Sequence, residues 1–179
     1  MSDEDALAVA RYLKSLAPVR NEVRQSPNIW FKLGKLFMLH PLPAASIPPQ
    51  TAAATAQYGG YLSQHVGLCA ECHTPRTGIK DEADKSRLFA GVKNPPKDFP
   101  QNPSNLTPDA TTGIGGWSDA DFVKTIRTGI DPKGLHLHPF MPWHQNRRMS
   151  DDELVAIARF LHTVPPIQNE VPRKPVATQ

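Results

Sequence analysis

Cys69-Ala70-Glu71-Cys72-His73 constrains this chain more than any other stretch, because it places both of the chain's cysteines in one short turn beside a histidine. A C-x-x-C-H run is the attachment pattern of a c-type haem. Each thiol can add to a porphyrin vinyl group, and the adjoining imidazole is positioned to bind the iron from the same side. Five residues then supply two covalent tethers and one axial ligand. A closed zinc site needs four side-chain ligands, so with two cysteines it would have to recruit distant histidines such as His65. A redox-active dithiol is expected within a βαβ pattern, which is absent around Cys69. A Cys69–Cys72 disulfide would close too short a loop to stabilise much.

Downstream of His73 the candidates for the opposite face of the iron are His136, His138, His144, His162, Met141 and Met149. Met141 is preferred, because Pro139-Phe140-Met141-Pro142-Trp143 holds it between two prolines of fixed φ, which stiffens the loop before any ligand bond forms. A thioether suits haem iron, and a His/Met pair raises the reduction potential relative to two nitrogen ligands. His136 and His138 remain alternatives, and Met149 stands at the start of a helix. An iron with both axial positions filled is left with one-electron exchange. The alternative is a haem enzyme of peroxidase type, which requires an openable iron site.

These motifs occur in a telling order. Cys69-Ala70-Glu71-Cys72-His73-Thr74-Pro75-Arg76 is followed by Asn105-Leu106-Thr107-Pro108-Asp109, then Thr112-Gly113-Ile114-Gly115-Gly116-Trp117-Ser118, then Phe140-Met141-Pro142-Trp143. The whole resembles a class I cytochrome c domain. More narrowly it is similar to the haem domains of multihaem cytochrome subunits that accompany membrane-bound alcohol, aldehyde and gluconate dehydrogenases. The resemblance covers about 51–171. It implies an all-α, class I cytochrome c fold around one covalently bound haem c, with Cys69 and Cys72 as covalent anchors and His73 and Met141 as iron ligands. It also suggests that Trp117 packs near the haem edge. The implied role is electron transfer rather than catalysis, from a dehydrogenase subunit or neighbouring haem domain towards quinone or an oxidase.

An internal repeat adds a second constraint. Residues 1–23 align without gaps on 149–171, with 11 of the 23 positions identical, among them Ala8/Ala156, Arg11/Arg159, Leu13/Leu161 and Asn21-Glu22-Val23/Asn169-Glu170-Val171. Repetition at domain scale indicates an array. The second copy is the closing helix of the haem domain, so 1–23 reads as the closing helix of a truncated upstream cytochrome domain. The chain is thus expected to be a C-terminal piece of a tandem cytochrome. Haem attachment in such families takes place outside the cytoplasmic membrane, so a periplasmic or outer-face location is expected. The export signal that this requires is not seen at Met1-Ser2-Asp3-Glu4-Asp5.

Nineteen prolines in 179 residues are about twice the usual share, which leaves much of the chain irregular. A porphyrin would supply apolar surface to a domain of modest size. The net charge of +3 is dispersed and marks no nucleic-acid patch. Capping pairs Ser2/Asp5, Ser118/Asp121 and Ser150/Glu153 start three helices, the second with Phe122, Val123 and Ile126 on its apolar side and Gly129 at its end. A fourth helix, within 51–66, carries Gly59-Gly60 and by resemblance crosses the closing helix near Phe160. Residues 78–116 read as a long irregular stretch. Residues 24–50 read as a linker whose apolar segment 29–39 is too short to span a bilayer and is expected to pack against the haem domain or its neighbour, with contact to a dehydrogenase subunit next and weak membrane-surface contact last. Residues 172–179 read as a disordered tail.

Overall fold

The computed structural model describes residues 1–22, 47–78, 81–97 and 99–174. The apolar segment 29–39 and residues 175–179 lie outside them. The chain divides into two compact units, Met1–Pro49 and Gln50–Gln179.

In the first unit, helix α1 (Asp3–Ser15) begins at Ser2, whose hydroxyl accepts from the Asp5 amide. None of its residues is buried.

The second unit is mainly helical, with α2 (Ala56–Tyr61), α3 (Cys69–His73), α4 (Asp119–Thr128), α5 (Trp143–Asn146) and α6 (Asp151–Leu161). The only strands among the described residues are a short antiparallel pair, β1 (Arg76–Thr77) and β2 (Glu82–Ala83), in the loop after α3. The sequence pattern gives no signal for this pair. It is two residues long on each side and is steadied by the Arg76 guanidinium, which donates to the Asp81 carbonyl and carboxylate.

α4 and α6 start where their capping pairs predict. Ser118 and Ser150 each accept from the amide three residues on, while Asp121 and Glu153 accept from the cap amides. In α4 the buried trio is Phe122, Thr125 and Ile126, with Val123 only half-buried. Positions i, i+3 and i+4 share a helix face, and Thr125 takes the middle place that Val123, one residue from Phe122, cannot reach. α4 ends at Gly129, whose φ of +71° is the left-handed stop that glycine permits.

The core lies where α2 crosses α6. Leu154, Ala156, Ile157, Ala158 and Leu161 are buried, as are Tyr61 and Leu62 from the opposite side. The glycine pair permits this crossing: a Cβ at Gly59 would fall 1.8 Å from the Ala156 carbonyl oxygen, and one at Gly60 would fall 3.0 Å from the Phe160 ring. Phe160 in turn meets the fully buried Phe89 edge to face at 5.9 Å. α2 is shorter than the alanine-rich sequence suggests. Thr55 caps it by accepting from the Tyr58 amide, and beyond Tyr61 the helix widens into a π-helical turn, Leu62–Val66.

The long irregular stretch is held by side-chain amides in place of regular ladders. Asn105 donates to the Ile167 carbonyl at 2.7 Å and accepts from the Thr107 amide and hydroxyl, and Asn169 donates to the Ala90 carbonyl at 2.7 Å. The start of the expected disordered tail is also held: Pro172 accepts from Asn102, the Lys174 amide donates to Gln101, and Arg173 pairs with Asp131 at 2.6 Å.

Asp131 is buried, and its other carboxylate oxygen accepts from the Lys133 and Leu135 amides at 2.9 and 2.8 Å. Replacing Asp131 with alanine strands these donors and is expected to destabilise the unit by about 2–4 kcal/mol, read as a lower urea midpoint at unchanged slope.

Candidate haem-attachment site

The chain enters α3 through Leu68, a non-glycine residue at φ +52°, and this left-handed step turns the backbone into Cys69–His73. Such a conformation is unfavourable for leucine and is retained where surrounding structure enforces it. One helical turn then carries both thiols and the imidazole. Cys69 is half-buried, Cys72 exposed and His73 buried. Burial pushes the Cys69 thiol up to about 11 and also raises that of Cys72. Neither sulfur has the depressed pKa of a redox-active dithiol.

His73 Nδ1 lies 2.7 Å from the Ser104 carbonyl oxygen. A carbonyl can only accept, so Nδ1 carries the proton and donates it. Burial lowers the imidazole pKa against the opposing effect of that carbonyl, which leaves the ring neutral near pH 7. A neutral ring protonated at Nδ1 keeps a free lone pair on Nε2, the state required of an iron ligand. The backbone is fixed as well: the His73 carbonyl accepts from the Gly91 amide at 2.7 Å. Gly91 has φ +78°, and a Cβ there would fall 2.6 Å from the Asn105 nitrogen. Asn169, which donates to the carbonyls of Ala90 and Gly91, secures the same segment from the far end of the chain. Ser104, Gly91 and Asn169 thus position His73. Spacing within the sequence marks none of them, although Asn169 stands in the repeated Asn-Glu-Val run.

Met141 is half-buried in a tight turn on a separate loop. Its amide donates to the His138 carbonyl at 3.0 Å, and its carbonyl accepts from the Trp143 amide at 2.8 Å. His138 Nδ1 accepts from the Phe140 amide at 3.1 Å, so in the neutral ring the proton sits on Nε2 and neither nitrogen offers a free lone pair. His136 is exposed and bridges to Ile130 in the loop after α4. Trp143 anchors the methionine loop: its ring lies 2.6 Å from where a Gly129 Cβ would be. Trp117 is half-buried, immediately before the Ser118 cap, with its amide donating to the Ile114 carbonyl at 2.9 Å. The Cys69–His73 turn brings three of the predicted site residues together, whereas Met141 and Trp117 come from other segments.

Two further observations fit a large, flat, mainly apolar group with polar edges. Among the described residues of the second unit the large apolar side chains that stay exposed are Val66, Leu68, Ile130, Leu135 and Phe140, all from the two segments that lead into Cys69 and into Met141. The Trp143 indole N–H is buried without a hydrogen-bond partner. Among the described residues no group of three or more His, Cys, Asp or Glu side chains is placed to hold a metal ion, so the four-ligand set of a structural zinc site is not assembled there. No described helix is long and apolar enough to cross a membrane.

No protein-family model matches the chain. Among curated proteins it is 36% identical over 125 residues to the cytochrome c subunit of the quinone alcohol dehydrogenase of Gluconobacter oxydans, covering 66% of this chain and 24% of that protein. It is 35% identical over 128 residues to the gluconate 2-dehydrogenase cytochrome c subunit of Pantoea cypripedii, covering 69% of this chain and 26% of that protein. A protein of Cereibacter sphaeroides named diheme cytochrome c-type is 31% identical over 102 residues, covering 56% of this chain and 33% of that protein. The chain therefore spans about a quarter to a third of the length of these relatives. Cytochrome c homologues imply haem c. The chain is a homologue of the cytochrome c subunits of alcohol and gluconate dehydrogenases.

Proposed function

We propose that the second unit is a mono-haem c-type cytochrome module that transfers single electrons, with iron held between His73 and Met141. The observation that carries the reading is the His73 ring itself: buried, neutral, and protonated at Nδ1 by its bond to Ser104, within one turn of two thiols. Cys69 and Cys72 would form the thioether tethers. When bound, haem supplies a ferric/ferrous couple and the electron capacity of the site.

The remaining work falls to the protein. Ser104 and Gly91 hold the imidazole in one orientation, so little rearrangement accompanies a change of charge. The Met141 loop, braced by two prolines and by Trp143 against Gly129, presents a thioether from a rigid turn and favours the reduced state. Trp143 offers its free N–H as a donor for a polar edge of the group, and Trp117 is proposed to pack near the haem edge. Val66, Leu68, Ile130, Leu135 and Phe140 would exclude water and give partner proteins an apolar approach.

By analogy with the named relatives, the electron would come from a dehydrogenase subunit or a neighbouring haem and pass towards quinone or an oxidase. The module would then work in the periplasm or on the outer face of the cytoplasmic membrane.

The test is expression with export and c-type maturation. The expected product stains for covalent haem on a denaturing gel with one haem per chain, and its ferric spectrum carries the far-red methionine–iron band. The Cys69→Ala/Cys72→Ala double variant should not stain. High-spin ferric iron with rapid peroxide turnover would overturn the reading.

A further inference from the structure

The loop that carries Met141 is tied at two places to residues 172–174, which follow the closing helix. The first tie is electrostatic. The Arg173 guanidinium meets Asp131 at 2.6 Å, and the Asp131 side chain is only 2% exposed against 39% for Arg173. Through its other oxygen Asp131 accepts from the Lys133 and Leu135 amides, and its own amide donates to the Leu135 carbonyl at 2.9 Å. The turn so formed is extended by the Ile130–His136 bridge and by the Leu137 amide, which donates to the Gly129 carbonyl at 2.7 Å. His138, whose carbonyl accepts from the Met141 amide, follows directly.

The second tie runs through Phe99. The Lys174 ammonium donates to the Phe99 carbonyl at 2.9 Å, while Gln101 accepts from the Lys174 amide and donates to the Lys174 carbonyl. The Phe99 ring meets Phe140, the residue before Met141, edge to face at 4.8 Å. A segment beyond the last helix ordinarily frays, because ordering it costs backbone entropy. Here Pro172, Arg173 and Lys174 are each engaged, and both routes end on the segment that delivers Met141.

We propose that Arg173, acting through Asp131, is a positioning residue for the distal ligand, and that residues 172–174 form a clasp that keeps the Met141 loop closed on the iron. The inference rests on the His/Met ligation proposed above. Without the guanidinium a buried carboxylate keeps its amide donors but loses its counter-charge. Its least costly relief is to swing into water, for which the 131–135 turn must open. That opening frees the methionine loop and leaves the Cys69–His73 turn intact, since His73 is held by Ser104 and Gly91.

The test is imidazole titration of the matured full-length chain. Added imidazole binds only where Met141 has left, so its apparent affinity reports the open fraction of the loop. Arg173→Ala should bind imidazole about tenfold more tightly than the parent as the far-red band bleaches, and its Leu135 and Met141 amides should exchange about tenfold faster. Arg173→Lys should recover most of the parent's behaviour, because the pair is a single nitrogen–oxygen contact that an ammonium can also make. Val164→Ala, which trims a buried side chain outside the clasp, is the control for general destabilisation. Its urea midpoint should fall while its imidazole affinity stays within about twofold of the parent. A parent without the far-red band would overturn the His/Met reading and this inference with it. A parent that shows the band, together with an Arg173→Ala variant that binds imidazole as the parent does, would overturn this inference alone. So would a Val164→Ala control that gains as much affinity as Arg173→Ala.

Discussion

Gly59→Ala is expected to break the helix crossing on which the second unit rests. The added methyl would lie 1.8 Å from the Ala156 carbonyl oxygen, about half a normal van der Waals separation, and the nearest atoms are all backbone, so no side chain can rotate away. α2 must therefore move off α6, opening the core to which Tyr61, Leu62, Ile157 and Leu161 contribute. Overpacking ordinarily costs about 1–3 kcal/mol, and a clash with backbone belongs at or above the upper end of that range. A domain of this size has about 5–15 kcal/mol in total, so a large share of its stability is lost. Gly116→Ala is the matched control, because nothing lies within 4 Å of its added methyl and its φ is not left-handed. It should stay within about 0.5 kcal/mol of the parent. Urea unfolding of the two variants decides the matter. In matured Gly59→Ala protein the covalent haem should persist on a denaturing gel while the far-red band is lost, which separates attachment from folding. Equal midpoints for the two variants would refute the crossing as described.

Exchange of the proposed distal ligand should have the largest effect on redox behaviour. Met141→His is expected to remain low-spin, lose the far-red band and lower the reduction potential by a few tenths of a volt, within the ~0.8 V over which axial ligands set haem potentials. Met141→Ala should lose the band and become able to bind exogenous ligands such as imidazole. The physical reason lies in the loop. Met141 sits in a turn closed by two backbone hydrogen bonds and braced by Trp143, so a substituted side chain inherits the position without reorganising the backbone. His138 should not replace it, since its Nδ1 is engaged by the Phe140 amide. A Met141→Ala variant whose spectrum and potential match the parent would exclude the thioether as a ligand.

What could be read in advance is what is local along the chain. The Cys69–His73 turn, the Ser118/Asp121 and Ser150/Glu153 caps and the Gly129 stop each complete their geometry within about one helical turn, so neighbouring residue types suffice to specify them. The crossing of α2 near Phe160 was legible only through the resemblance to class I cytochromes, to which the glycine pair added that a close approach is permitted. The two-residue strands leave no alternating pattern to read, and the hold on 172–174 is not local because its partners, Gln101, Asn102 and Asp131, lie 42–73 residues away along the chain.

By itself the sequence determined that two thiols and an imidazole share one turn, and that residues 1–23 duplicate 149–171. Only the tertiary structure decided the state of those groups. The imidazole proton is assigned by a carbonyl 31 residues away at Ser104, the His73 backbone is secured through Gly91 by an asparagine 78 residues beyond that glycine, and His138 is disengaged by a turn that residue types do not announce. The division has one cause. Covalent tethers and helix caps are satisfied by residues adjacent in sequence, whereas tautomer, burial and exposure depend on which distant atoms the folded backbone brings within hydrogen-bonding distance. For the same reason two nearly matching helices end differently here, α6 buried against a glycine pair and α1 exposed.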